Sequence, residues 1–591
     1  MSSKSRRRSP KTKRKRQRDG AKRKPPAFPE HEIFAALQQV VAYLQGGLYA
    51  EARQSCELVL KSYPEHPDAL NLCGVACFQS GDADESIRYL EAAITNRENF
   101  ADAYNNLGNV LRAVDKLGEA EAAYGRAIAV DSLYFDAYFN LGIVLEAMGR
   151  FGEAATANQH ALEIRPDFPP VHLNMGNVLK ALGRFDEALE IYRWTLTLDP
   201  RHVDALNNLG TVQYELRDFS GAEATYRSAF EIDPQHADVV YNLGVVLQET
   251  GRLDEAIAAY QQAVEFRPYY GEGYLNLGYA LHQTGRLDAA ATAYERAIEL
   301  EPGNSQAFVN LGDLMLDRGE PGAAVALCDD FLVARPGDTG VLAFKTVALR
   351  ELGEKDPAGY LADFDGLIQS KQFETPAGFD SLSDFNAALA THICNHPTLA
   401  SSPASNATRE GKHSGELLVK PKGPMADWER LVLGAIDEYR DALPRESQHP
   451  FITRAPEGFR LTVWSVVMQI GGHQVPHIHP SAWLSGVYYV EVPDEVAAAD
   501  QRPAGWIEFG RPPDHYHTKV EPELKLIRPQ QGTLLLFPSY FYHRTVPLKT
   551  EGRRISIAFD VMPLARILHR GPRMMAKGEA DKGKGPVGEQ E

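Results

Sequence analysis

The sequence HIHP places two imidazoles, His477 and His479, one residue apart. They follow a β-branched run at 460–470, read as a strand, and the pair Gly471-Gly472. In extended backbone, residues two apart project from the same face, so both rings can converge on one point. A third imidazole, His543, closes the segment GTLLLFPSYFYH that begins at Gly532. Arg554 opens the next strand eleven residues later, and alternation lets only one of Arg553 and Arg554 face inward. Imidazoles held together in this way are candidate metal ligands. An H-x-H pair alone says little. The full order of pair, distal histidine and arginine on the following strand is far more specific. His473 lies four residues before His477 and is read as a neighbour rather than a ligand. His515 and His517 fall in a loop and stay outside the set, while Glu508 and Asp560 are carboxylates that a strand could turn inward or leave at the surface.

These residues need a β scaffold. Runs at 460–470, 484–492, 506–509, 533–537 and 554–561 are β-branched and aromatic, separated by Gly and Pro. Residues 459–565 are therefore expected to form a jelly-roll core, with 355–458 as a helical and loop region supporting it. Within that support, helices are predicted at 361–372, 384–392 (with Ser383 as N-cap) and 428–443. A surface loop is predicted at 397–424, which is rich in Ser, Pro, Ala and Gly.

Upstream, the chain repeats itself every 34 residues. Gly74, Gly108, Gly142, Gly176, Gly210, Gly244, Gly278 and Gly312 keep that step, as do Pro166, Pro200, Pro234, Pro268, Pro302 and Pro336. Twelve residues after each glycine comes a small residue: Ser86, Ala120, Ala154, Ala188, Ala222, Ala256, Ala290 or Ala324. Small residues let two antiparallel helices approach, and proline ends the second helix of each pair. Asn106, Asn140, Asn174, Asn208, Asn242, Asn276 and Asn310 form a fourth row, two residues before successive glycines. Facing a groove, such a row could pair with the backbone of an extended peptide; turned inward, it would serve hydrogen bonding within the repeats.

This period and small-residue pattern resemble the tetratricopeptide repeat (TPR) family. The resemblance implies an all-α superhelix of about nine helix-turn-helix repeats over 32–354, with a concave groove that binds protein or peptide. The asparagine row is similar to the peptide-gripping asparagines of O-linked N-acetylglucosamine transferases. Downstream, the His/His/Arg order resembles the 2-oxoglutarate and Fe(II)-dependent oxygenases, whose double-stranded β-helix carries H-x-D/E, a distal His and a basic residue. HIHP followed by LSGVYYV at 484–490 is similar to a bacterial and phage branch often fused to TPRs. That resemblance implies Fe(II) held by His477 and His543, with His479 either a third ligand or a neighbour that leaves a two-histidine site completed by water, and with 2-oxoglutarate as cosubstrate and O2 as oxidant. It also implies a bidentate salt bridge from Arg554 to the distal carboxylate of 2-oxoglutarate, aided by a hydroxyl from Tyr488 or Tyr489 according to strand register. The sequence departs from the wider family at His479, which stands where most members place Asp or Glu. A cupin reading also uses H-x-H, but would want a Glu where Leu484 stands.

Composition bounds the remainder. A chain of 591 residues is too long for one core. Nothing approaches ~18 consecutive apolar residues, so no membrane span is expected. Five cysteines without paired spacing suggest a reducing, cytoplasmic setting, with Cys73 and Cys77 as small buried apolar residues. The net charge of −17 conceals a tail: residues 1–24 hold thirteen Lys and Arg against Asp19, about +12, which leaves about −29 for the rest. Segments 1–31 and 566–591 are expected to be disordered, and the basic one could contact a polyanion. Two functions of different kinds follow, beside the minor reading of a cupin-like small-molecule enzyme. One is an Fe(II)/2-oxoglutarate dioxygenase that hydroxylates a protein brought by the repeats; the other is a TPR scaffold whose barrel is inactive or structural.

Overall fold

The computed structural model describes residues 30–402, 406–444, 446–494, 496, 503–549 and 551–564. The basic segment 1–24 and the charged run 577–591 lie outside the described residues. From Ile33–Gln45 to Thr339–Leu352 the chain forms nineteen helices of 13 or 14 residues, nine antiparallel pairs and one further helix. No helix among the described residues is long and apolar enough to cross a membrane.

The glycine row has a direct steric cause. Each glycine sits against the side chain sixteen or more residues ahead on the next helices: Tyr124 for Gly108, Tyr192 for Gly176, Tyr226 for Gly210, Tyr260 for Gly244 and Tyr294 for Gly278. At Gly210 a Cβ would lie 2.7 Å from Tyr226 Cε1, and that ring is only 2% exposed. The small residues twelve positions on, Ala222 among them, are fully buried. Gly210→Ala should therefore destabilise the repeats by about 1–3 kcal/mol, because the buried ring cannot move aside. That outweighs the gain of up to ~1 kcal/mol from better helix propensity. Gly125→Ala, where a Cβ would meet nothing within 4 Å, should keep the propensity gain. Thermal unfolding of the two variants should show shifts of opposite sign; equal shifts would contradict the packing account.

The strands of the C-terminal region are β1 (Gln369–Gln372), β2 (Ala400–Ser401), β3 (Thr408–His413), β4 (Phe459–His477), β5 (Leu484–Glu491), β6 (Ile507–Phe509), β7 (Lys525–Ile527), β8 (Thr533–Pro538), β9 (His543–Thr545) and β10 (Arg554–Pro563). They pair antiparallel in the order β1-β8-β5-β10-β4-β9-β6-β7, with β3 also on β4 and β2 on β3. β4 joins the two halves of this curled sheet. Residues 459–468 pair with β10, and after Gly471, whose φ of +82° turns the strand, Gln474 and His477 pair with β9. The arrangement is compatible with a jelly roll.

Alternation along β10 divides its roles. Ile555, Ile557, Phe559 and Val561 are fully buried on one face, and Trp428 of the helix Met425–Ala442 meets Phe559 edge-on at 5.6 Å. The other face carries Arg554, Ser556, Ala558 and Asp560. One continuous apolar core runs from Val309 and Phe344 in the last repeats, through Trp428 and Tyr439, to Tyr489 and Val561 in the sheet.

Three local expectations are corrected. Residues 369–372 are a strand, not helix, pairing with Thr533–Leu536 of β8. The expected loop at 397–424 contains β2 and β3, because the backbone of β3 completes hydrogen bonding along β4. The supporting helix begins at Leu382, capped by Ser381 rather than Ser383; the Ser381 hydroxyl accepts the Asp384 N–H at 3.1 Å.

Candidate metal centre

The curl of β4 brings its last residue, His477, directly opposite His543, the first residue of β9. His479 lies two residues past the strand, where its N–H donates to the Ser539 carbonyl at 3.0 Å. The ring centroids of His477 and His543 are 4.3 Å apart, and each lies 5.2 Å from that of His479. One nitrogen from each of the three falls within 4.8 Å of the others.

The remaining nitrogens are held from behind. His477 Nδ1 meets the Val475 carbonyl at 2.8 Å and His543 Nδ1 the Phe541 carbonyl at 2.9 Å. A carbonyl can only accept, so both Nδ1 atoms carry the proton and both Nε2 atoms present lone pairs. His479 Nδ1 faces Asp560 Oδ2 at 2.9 Å, and Asp560 Oδ1 accepts the Ser485 hydroxyl at 2.7 Å. His479 is thus an imidazole backed by a carboxylate, a partner that orients a ligand and raises its basicity. Trp464 stacks on the same ring at 5.7 Å. Burial, and secondarily the neighbouring His479, pushes His477 down to about 3; burial also holds His543 well below the usual histidine range. Both rings are therefore neutral near pH 7, as metal ligation requires.

Arg554 shares a face of β10 with Asp560. It is 3% exposed, and its Nε and Nη1 are buried without a hydrogen-bond partner. Its guanidinium lies 5.1 Å from the centroid of the Tyr489 ring, whose hydroxyl is also buried and unpaired. Desolvation lowers the arginine's affinity for its proton. A buried cation with spare donors beside a phenol has the chemistry to receive a planar anion.

The other sequence candidates separate cleanly. Tyr488 points to the opposite face, where its hydroxyl donates to Asn386 at 2.7 Å and its ring stacks on Phe373, so it lies apart from Arg554. Arg553 pairs at the surface with Glu491. Glu508 is tied by Arg511 and Arg544, each at 2.6 Å. His473 rests on the Gly471 carbonyl, away from the triad. His515 packs against Tyr279 and His517 against Asp313, both in the repeats.

The asparagine row is largely engaged within the repeats. Nδ2 of Asn106 donates to Asn71, and that of Asn140 to Asn105. Further along, Asn242 donates to Asn207 and Asn276 to the Tyr241 hydroxyl. Asn310 is 8% exposed and accepts from Gln306, while Asn174 Nδ2 is buried. Asn106, Asn140, Asn242 and Asn276 thus spend an N–H group in tying their repeat to its predecessor, while Asn310 bonds within its own helix.

Residues 462–560 match the family described as "Putative 2OG-Fe(II) oxygenase". Residues 37–104, 99–167, 173–237, 209–271 and 275–339 match tetratricopeptide repeat families. A UDP-N-acetylglucosamine–peptide N-acetylglucosaminyltransferase of Caenorhabditis elegans is 36% identical over 76 residues, which are 13% of this chain and 7% of that relative. The chain thus spans only a small part of that relative's length. Among solved structures, YrrB, described as a TPR protein with an unusual peptide-binding site, is 26% identical with a TM-score of 0.28, covering 33% of this chain and 97% of YrrB. A tetratricopeptide repeat protein from Parabacteroides merdae is 17% identical with a TM-score of 0.36, covering 42% of this chain and 98% of its own.

Proposed function

We propose that this chain, which joins tetratricopeptide repeats to a 2OG-Fe(II) oxygenase domain, is an Fe(II)/2-oxoglutarate-dependent dioxygenase that hydroxylates a protein recruited by its repeats. His477, His479 and His543 would hold the iron through Nε2. Arg554 would receive the distal carboxylate of 2-oxoglutarate, with the Tyr489 hydroxyl beside it. Bound Fe(II) with 2-oxoglutarate and O2 supplies oxidative decarboxylation to succinate and CO2, with one oxygen atom transferred to substrate. Asp560 supports this set by orienting His479 and by supplying, one shell out, the negative charge that most members of the family provide directly.

The observation that carries the reading is the buried guanidinium of Arg554, with two unpaired nitrogens, on the same strand face as the carboxylate behind His479. A structural role would leave that charge only the face of the Tyr489 ring as compensation, and a buried charge without an ionic partner costs several kcal/mol. TPR repeats bind peptides or proteins, and a target gripped by repeats on the same chain as the catalytic domain would be presented to it at high effective concentration.

Anaerobic titration of the metal-free protein with Fe(II) and then 2-oxoglutarate tests this. A weak visible charge-transfer band should appear on adding the second ligand, and aeration should then yield succinate. A folded, iron-loaded protein without the band would favour instead a TPR scaffold with a structural metal, the reading to which the histidine at 479 lends support.

A further inference from the structure

A second cluster of ligand-type side chains lies away from the triad, where the segment between β6 and β7 meets the repeats. His282 is on the helix Gly271–Gln283, Asp313 and Asp317 are one turn apart on the helix Ser305–Asp317, and His517 is on the segment. One ligand atom from each of His282, Asp317 and His517 falls within 4.8 Å of the others. Asp317 Oδ2 is 3.5 Å from His282 Nε2 and 3.9 Å from His517 Nε2. Ligands at ~2.0–2.2 Å around a tetrahedral zinc ion sit roughly 3.4 Å from one another, so these atoms are close to that spacing.

Two further features separate this cluster from a chance group of polar side chains. His517 Nδ1 faces Asp313 Oδ2 at 2.9 Å, and the other oxygen, Oδ1, accepts the His517 backbone N–H at 2.8 Å. Asp313 is itself 4% exposed. That carboxylate fixes the proton on Nδ1 and turns Nε2 toward Asp317, the relay commonly found behind a metal-bound histidine. His282, in turn, is 5% exposed, and its Nε2 is buried without a hydrogen-bond partner although it points at Asp317. A buried ring nitrogen left unmade costs about 1–3 kcal/mol, and such an atom in a native site calls for an ion or a water. Asp317 and His517 keep about a third of their side-chain surface exposed, which gives an ion a way in.

We propose that His282, Asp317 and His517 form a second metal site of the zinc type, with Asp313 positioning His517 and water completing the tetrahedron. Its ligands come from two repeats and from the catalytic domain, so the ion fastens the 511–524 segment to the repeats. Glu351 Oε1 already accepts the N–H groups of Lys519 and Val520 in that segment, at 2.8 Å each.

The test uses the full chain carrying His477→Ala, which disables the first centre and leaves these residues untouched. Titrated with Zn(II) under competition from a chromophoric chelator, this protein should bind one equivalent and gain thermal stability. Adding Asp317→Asn, a near-isosteric change at a side chain about a third exposed, should remove the bound equivalent and the stabilisation. Asp313→Asn should weaken zinc binding by about 10- to 100-fold. Amide exchange across 511–524 should slow on zinc addition in the His477→Ala protein and not in its Asp317→Asn derivative. No zinc bound by the folded His477→Ala protein, or zinc bound equally well after Asp317→Asn, would overturn the proposal.

Discussion

Arg554→Met is expected to abolish 2-oxoglutarate binding and, at the same time, to make the ligand-free protein more stable. Both effects come from one fact: a guanidinium 3% exposed, with Nε and Nη1 unpaired. Truncating one partner of a buried, hydrogen-bonded charge pair costs about 2–5 kcal/mol, so the affinity for 2-oxoglutarate should fall by at least ~30-fold. Replacing a buried ion by an apolar chain of similar reach often stabilises by about 1–4 kcal/mol. The melting temperature of the variant should therefore rise without ligand and fail to respond to 2-oxoglutarate, while that of the wild type responds. Arg554→Lys keeps the charge without the planar fork and should fall between the two. If Arg554→Met bound 2-oxoglutarate normally, or destabilised the free protein, the assignment of Arg554 as the anion receptor would be wrong.

His477→Ala should cost iron binding altogether in a protein that still folds. The ring closes the β4–β9 register opposite His543, but the strand pairing itself is made by backbone and survives the loss of a side chain. Asp560→Asn is the graded companion: it leaves the three imidazoles in place and removes the carboxylate behind His479, for which a 10- to 100-fold loss of iron affinity is expected. Iron content after equilibrium dialysis, with circular dichroism as the fold control, measures both. His479→Ala decides the coordination number. Iron retained at wild-type affinity would leave a two-histidine site and make the Asp560 effect disappear with it.

The repeats were legible because their steric rule is local: a glycine, a small residue twelve positions on and a proline recur at a fixed step, and each reports a contact within one helix pair. The triad was legible for a similar reason: the H-x-H spacing keeps His479 near His477 even though it lies two residues past β4, and a single register brings His543 opposite His477. What could not be read depends on which face or which neighbour wins. Tyr488 and Tyr489 are indistinguishable until the register against β10 places one beside Arg554 and the other against Asn386. Residues 369–372, QSKQ, have no β signature; they are extended because β8 leaves an edge to fill. Asp560 appeared only as a carboxylate that a strand could turn inward, and its role emerged from the packing of His479. His517 reads only as a loop residue, since its partners His282, Asp313 and Asp317 lie two hundred or more residues away in sequence.

The apolar core that runs unbroken from Val309 to Val561 has a consequence for target choice. Where a recognition module and a catalytic domain are joined by a slack tether, any acceptor within reach of the tether can be modified. Here Phe344 of the final helix and Tyr489 of the sheet belong to one solid body, and Thr339 donates to the Pro480 carbonyl at 2.7 Å, one residue beyond His479. If the adjoining repeats grip a target and the triad reacts with it, as proposed, the two events are separated by a set distance, as on a jig. Such an enzyme would choose its acceptor by counting along the target from the gripped segment, and inserting or deleting residues between the two would silence a good sequence.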